Sequence, residues 1–266
     1  MHLSFREKST NMSELQVFNS VKDFIAYRDA LATNVKIGFV PTMGALHEGH
    51  ASLLRRASRE NDLSVLSIFV NPTQFNNTDD LKKYPRTWEA DVSLAKNNGV
   101  GVIISPTYDE LYADNYRFKL HESAFSEILC GAHRPGHFDG VLTVVMKLFQ
   151  IVNPHRSYFG EKDYQQLQLI KDMSETFFLR NKVVACPTLR EHDGLAMSSR
   201  NVRLTPAGRE RAPLIYRAIS QRPSVTEAKD FLEKNAIEVE YLEEHFGRRF
   251  IAAYIDGVRL IDNVSI

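Results

Sequence analysis

Val35–Val40, VKIGFV, runs straight into Pro41–His50, PTMGALHEGH, and the fold is read outward from these two segments. A short apolar run closed by Pro, Thr and Gly is the pattern of a strand buried on both faces. Helical spacing resumes at Ala51–Glu60, so PTMGALHEGH occupies a strand-to-helix turn. Toward the N-terminus, Val21, Phe24, Ile25 and Ala30 recur at helical spacing within Ser20–Thr33, with Ser20 as the expected N-cap. Toward the C-terminus, Ser64–Val70 (SVLSIFV), Val100–Ile104 (VGVII) and Val183–Cys186 repeat the strand pattern. Trp88–Asn97, Val141–Val152 and Tyr164–Leu179 repeat the helical one, and Asn153-Pro154 stops the second of these. Apolar strands alternating with helices predict βαβ units and an α/β, doubly wound parallel sheet of Rossmann-like form.

The pattern changes near Arg200. Asn201–Arg211 is charged, Thr205-Pro206 opens a helix, and two helical segments follow. β-like runs come last, at Ala236–Tyr241, Phe250–Ile255 and within Val258–Ile266. The expected division is a polar tail over residues 1–19, a Rossmann-like domain over 20–190 and a small α+β domain over 191–266.

Composition narrows the function. The 266 residues hold 33 Lys+Arg against 33 Asp+Glu, so no generic nucleic-acid or anionic-membrane surface is expected, which still leaves room for a local basic pocket. An apolar fraction of 43% with 10% aromatics can fill a core and excludes a mainly disordered chain. No stretch approaches the ~20 uninterrupted apolar residues that span a bilayer. The opening MHLSFREKSTNMSEL lacks an apolar h-region, so no secretion is expected, and Met12 is an alternative start. Two cysteines, Cys130 and Cys186, make no disulfide framework and fit a reducing cytoplasm.

Three segments carry groups suited to phosphate. In an α/β sheet, ligands settle at the carboxyl ends of strands, where a helix N-terminus presents unpaired N–H groups. Gly44 and Gly49 allow close backbone approach there, and His47 and His50, three apart, share a helical face from which imidazolium donors could offset charge on a phosphorus. The same residues also fit an ordinary turn with two solvated histidines, and H-x-G-H alone does not decide between them. A metal pair fits less well, since no third ligand stands at recognisable spacing. Gly160–Asp163, GEKD, offers Lys162 to a phosphate and Asp163 to ribose hydroxyls, or Asp163 merely as a helix cap. Gln165 and Gln166, just beyond, read as solvated surface. Met197–Asn201, MSSRN, is either a polyphosphate clamp built on two hydroxyls and the Arg200 guanidinium or a polar linker. NPTQF (Asn71–Phe75) and RPGHFDGV (Arg134–Val141) are unusual for structural loops, whereas Phe75, Phe138, Trp88 and the cysteines read as wall or core.

Taken in order, PTMGALHEGH, SIFVNPTQF, YPRT, RPGHFDGV, FGEKDYQQL and DGLAMSSRN resemble the pantothenate synthetase (pantoate–β-alanine ligase) family, over residues 41 to 201. H-x-G-H with a downstream M-S-S-R also resembles the wider nucleotidyltransferase superfamily. The resemblance implies an ATP-dependent ligase that joins (R)-pantoate to β-alanine through pantoyl adenylate, releasing AMP and pyrophosphate. It implies ATP contacts from Met43, Gly44, Ala45, Leu46, His47, Glu48, Gly49 and His50, with His50 catalytic and His47 its partner. Gly160, Glu161, Lys162, Asp163, Leu189, Met197, Ser198, Ser199 and Arg200 complete the implied nucleotide site, Lys162 and Arg200 serving catalysis as well. Gln74 and Gln166 match the pantoate-binding glutamines, and Gln74 is also expected near β-alanine. Mg²⁺ is expected with ATP although no metal ligand identifies itself, and a cytoplasmic homodimer with a lid-like C-terminal domain is implied on the same ground. Two other readings remain: an adenylyltransferase that keeps the nucleotide on its product, and a non-catalytic nucleotide-binding module. The glutamine-bearing loops oppose the first and the number of phosphate-directed groups opposes the second. A tRNA-binding relative would want a basic face and an anticodon domain.

Overall fold

The computed structural model describes residues 14–266, so Met12 and the polar run before it lie outside the described residues. Six strands, β1 (Gln16–Phe18), β2 (Ile37–Thr42), β3 (Leu63–Ile68), β4 (Val102–Ile104), β5 (Arg156–Gly160) and β6 (Lys182–Cys186), form one parallel sheet ordered β1-β4-β3-β2-β5-β6. Between them run α1 (Val21–Asp29), α2 (Glu48–Glu60), α3 (Thr78–Lys82), α4 (Trp88–Asn97), α5 (Tyr108–Leu111), α6 (Cys130–His133), α7 (His137–Val152) and α8 (Tyr164–Thr176). Ile37 to Val40 are all buried, and successive side chains enter opposite layers. Phe39 joins Phe149, Leu167 and Ile170 in one layer, while Val40 joins Leu54, Ala57 and Tyr158 in the other. Each buried Val, Leu, Ile or Phe side chain among these contributes ~1.5–3 kcal/mol.

Most element ends follow local chemistry. Ser20 Oγ accepts from Asp23 N at the start of α1, as its cap position predicts. α2 begins three residues before the apolar periodicity because His47 caps it, and α7 begins at His137, ahead of the expected Val141. Two strands depart from the sequence reading. Gln16–Phe18, assigned to the polar tail, is an edge strand running parallel to Val102–Ile104. Three half-exposed or exposed residues leave no periodic signal there. Arg156–Gly160 was not read as a strand, because only Ser157, Tyr158 and Phe159 are buried between a helix stop and a charged turn.

That second strand sets the topology. From β2 the chain steps outward through β3 and β4, then crosses to β5 and β6 on the other side of β2. The order therefore reverses between β2 and β5, and their carboxyl ends open the crevice where α/β sheets take ligands.

The remainder holds α9 (Pro206–Arg211), α10 (Pro213–Gln221) and α11 (Val225–Lys234), followed by an antiparallel meander of β7 (Glu238–His245), β8 (Arg248–Ile255) and β9 (Val258–Ser265). Two-residue turns at Phe246-Gly247 and Asp256-Gly257 have positive φ at both positions, as tight hairpins require. The first of these strands starts at Glu238 because Ala236 is left-handed, φ +54°. Ile251 and Ile255 pack with Leu195, Ile215 and Leu232, whereas Tyr241, Phe250 and Ala252 enter the core of the parallel domain. Among the described residues, no helix is long and apolar enough to cross a membrane.

Candidate active site

A cavity of about 230 Å³ lies over the carboxyl ends of β2 and β5. Met43, His47, Gly49, His50, Gln74, Gly160, Lys162, Asp163, Gln166, Leu189, Met197, Ser198, Ser199 and Arg200 all line it. Gly44, Ala45, Leu46, Glu48 and Glu161 do not. The first three form the bend between strand and helix, where the amides of Ala45 and Leu46 donate to the two carboxylate oxygens of Asp91, at 2.9 and 2.7 Å. Those amides are therefore not free for a phosphate. Glu48 turns away to pair with Arg55, and the Glu161 carbonyl accepts from Asn263 Nδ2 at 2.9 Å.

His47 and His50 sit at the mouth of α2 with ring centroids 4.1 Å apart. The His47 amide donates to His50 Nδ1 and the Gly49 amide to His47 Nδ1, at 3.3 and 3.1 Å, so each Nδ1 is an acceptor and each neutral ring carries its proton on Nε2. A Cβ on Gly49 would come within 2.8 Å of the His47 ring, which is why glycine stands there. Burial, and then the charge of Lys162, push His47 down to about 4, and burial with His47 and Lys162 beside it holds His50 well below the ordinary value. This corrects the expectation of imidazolium donors. At pH 7 the pair offers neutral Nε2–H donors, and the permanent positive charge on the wall comes from Lys162 and Arg200.

Opposite the histidines, the turn after β3 is braced from below. Asn71, 1% exposed, donates from Nδ2 to Gln74 Oε1 and to the Gly140 carbonyl, both at 3.1 Å, and accepts from Tyr112 Oη at 2.9 Å. Gln74 Nε2 reaches Met43 Sδ at 3.1 Å. A Cβ on Gly140 would stand 2.5 Å from the Thr73 carbonyl oxygen, so only glycine lets α7 approach the turn this closely. The two glutamines after GEKD part company. Gln166 lines the cavity, whereas Gln165 is buried, donating to the carbonyls of Phe125 and Ile128, which corrects its reading as solvated surface. Trp88, read as wall or core, is 37% exposed.

Within GEKD, Gly160 ends β5 and Glu161–Asp163 form a single 3-10 turn before α8. Asp163 makes no side-chain cap bond to α8, so its cap reading fails; its carboxylate lies at the cavity 3.8 Å from Lys162 Nζ. Asn263 of β9 donates to the carbonyls of both Glu161 and Lys162, at 2.9 Å each, and so fixes this turn from the C-terminal sheet. Met197 N donates to Leu189 O at 3.0 Å, bringing Leu189 beside MSSR. Arg200 and Arg203 both pair with Asp80 of α3, at 2.8 and 2.6 Å. Asp80, Asp91, Asn71 and Asn263 were not singled out in the sequence. Asn71 lies within a quoted loop and Asp91 stands four residues after Thr87, whose hydroxyl donates to it at 3.1 Å, but no linear spacing joins Asn263 to residue 161. No group of three or more His, Cys, Asp or Glu among the described residues could hold a metal ion.

A doubly wound α/β protein with basic and imidazole groups gathered at its switch point has the make-up of a phosphate-handling α/β protein. The sequence model of the Pantoate-beta-alanine ligase family matches residues 16–265, and the chain belongs to that family. It is 54% identical over 251 residues to the pantothenate synthetase of Bdellovibrio bacteriovorus, covering 94% of this chain and 99% of that one. A Legionella pneumophila pantothenate synthetase is 51% identical over 249 residues, with the same coverage. The crystal structure of the Francisella tularensis pantoate-beta-alanine ligase, complexed with beta-gamma ATP and beta-alanine, superposes with a TM-score of 0.91 at 42% identity, over 95% of this chain and 98% of that one.

Proposed function

We propose that this chain condenses (R)-pantoate with β-alanine at the expense of ATP. The observation that carries this is the convergence on one cavity of His47, His50, Lys162 and Arg200 with Gln74 and Gln166, in a chain of this family. In the first step a pantoate carboxylate oxygen attacks the α-phosphorus, and the bond to the bridging oxygen breaks with its electrons leaving on pyrophosphate. That step needs no base, only alignment and charge neutralisation. His47 and His50 serve it as neutral Nε2–H donors, Lys162 and Arg200 as fixed cations, and Asp163 as an acceptor for ribose. Gln74 and Gln166 hold the hydroxy acid by groups that both donate and accept without adding charge. In the second step the β-alanine ammonium first gives one proton to solvent, and the free amine attacks the acyl carbon. AMP leaves with the electrons of the broken acyl–oxygen bond, and the second proton passes from the new amide nitrogen to solvent.

Mg²⁺ enters with ATP in this reading, as the counterion of its phosphates. The resemblance extends the proposal to a cytoplasmic homodimer whose residues 191–266 act as a lid. Isotope exchange between labelled pyrophosphate and ATP tests the reaction order. Exchange should require pantoate and proceed without β-alanine; exchange seen only after β-alanine is added would exclude a free-standing adenylation step.

A further inference from the structure

Arg134 and His137 stand in RPGHFDGV, between α6 and α7, and the reaction above makes no use of either. Arg134 Nη2 donates to the Gln74 carbonyl at 3.1 Å and Nη1 to His137 Nε2 at 3.0 Å. His137 in turn donates from Nδ1 to the same Gln74 carbonyl at 2.8 Å, so the ring is neutral and orients the guanidinium. Among the described residues these are the only hydrogen-bond partners of the Arg134 guanidinium, and no carboxylate pairs with it. Three of its five N–H groups stay available.

The same guanidinium lines a second cavity, of about 50 Å³, which shares Lys162, Asp163 and Gln166 with the main one. The acidic groups around it are already matched to cations. Asp262 is held by both terminal nitrogens of Arg190, at 2.6 and 2.9 Å, Asp163 lies beside Lys162, and Asp80, which also acts on Arg134, is paired with Arg200 and Arg203. Burial brings the Arg134 guanidinium down to about 10, opposed by Cys130 and, more weakly, Asp80, and helped by Arg259 and Arg200. A buried cation without an anion is costly, and an anionic ligand entering this cavity would complete it.

The reaction supplies one such anion. The carboxylate of β-alanine takes part in neither bond-forming step, so it stays ionised from substrate to product, while the amine must reach an acyl carbon held between Gln74 and Gln166. In the ligase reading Lys162 and Arg200 serve the phosphates, and Arg200 is also paired with Asp80. We propose that Arg134 is the anchor for the β-alanine carboxylate, binding it through its fork and selecting an amine that carries a carboxylate, with His137 as its positioning residue. The proposal rests on the ligase reading above.

Steady-state kinetics test it with β-alanine and 3-aminopropanamide, which has the same amine and spacing but no charge. The wild-type protein should prefer β-alanine by about 10- to 100-fold in kcat/KM, the range of a charge-assisted pair. Arg134→Gln should raise KM for β-alanine by a similar factor and bring the preference to within a few fold, with Arg134→Lys in between, while KM for pantoate moves far less. An unchanged KM for β-alanine in folded Arg134→Gln overturns the assignment. So does a wild-type preference near one, which needs no variant and decides the matter if Arg134→Gln does not fold. Absence of pantoate-dependent pyrophosphate exchange in the wild-type protein is a different failure, since it removes the ligase reading itself.

Discussion

Asp91→Asn perturbs the site without touching the cavity. The native carboxylate, 2% exposed, accepts from the amides of Ala45 and Leu46 at 2.9 and 2.7 Å and from the Thr87 hydroxyl at 3.1 Å. Hydrogen bonds to a charged group contribute ~1.5–3 kcal/mol each, and a buried donor left without a partner costs ~1–3 kcal/mol. Asparagine keeps one oxygen, so one amide stays bonded while the other meets an NH₂ group. The expected loss is about 2–3 kcal/mol, against a total stability of ~5–15 kcal/mol for a protein of ordinary stability. Alanine would strand both amides and cost about 3–6 kcal/mol, enough to unfold a marginal chain and blur the result. The loop so released carries Met43 and leads into His47, so catalysis should fall as well. A displacement of ~1 Å at such a site can cost on the order of 100-fold. Urea denaturation followed by circular dichroism gives the stability, and pantoate-dependent pyrophosphate exchange on the folded variant gives the activity. Stability within about 0.5 kcal/mol of wild type together with an unchanged exchange rate would refute the claim that Asp91 positions the H-x-G-H turn.

Two further outcomes follow from the histidines. His50→Ala should leave the fold intact and slow pyrophosphate exchange by about 10²–10³, the usual loss for one donor aimed at developing charge, with His47→Ala similar or smaller; near-normal exchange by either would remove its role. His47 and His137 are held down to about 4 and about 3, each first by burial, so below pH 6.5 the unfolded chain takes up protons that the folded chain refuses. Stability should therefore fall as pH drops from about 6.5 toward 4, by up to about 1.4 kcal/mol per pH unit for each such histidine, and His137→Gln should flatten the urea-midpoint profile in that window. A profile with the same slope in the variant contradicts the neutral, buried state.

The alternation of apolar strands and amphipathic helices was legible because both periods are local: VKIGFV needs only its own residues to declare a strand buried on both faces. The motifs were legible for a related reason. Chemistry at a strand's end compresses into a few adjacent positions, so PTMGALHEGH, GEKD and MSSR stand out in one dimension, and most of their side chains do meet in one cavity. What the linear order could not carry was the topology that brings them together. β5 has only three buried residues, yet its place beside β2 creates the switch point over which the cavity opens, with Thr42 and Gly160 both in its lining. Charge state was equally hidden, since His47 and His50 are neutral through burial and through a lysine more than a hundred residues away. The bracing is long-range throughout: Asp91 holds the amides at residues 45 and 46, Gly140 admits the turn of Gln74, and Asn263 pins the turn of Lys162. A hydrogen bond or a close approach is made by whichever atom the packed chain delivers, and sequence spacing records nothing of it.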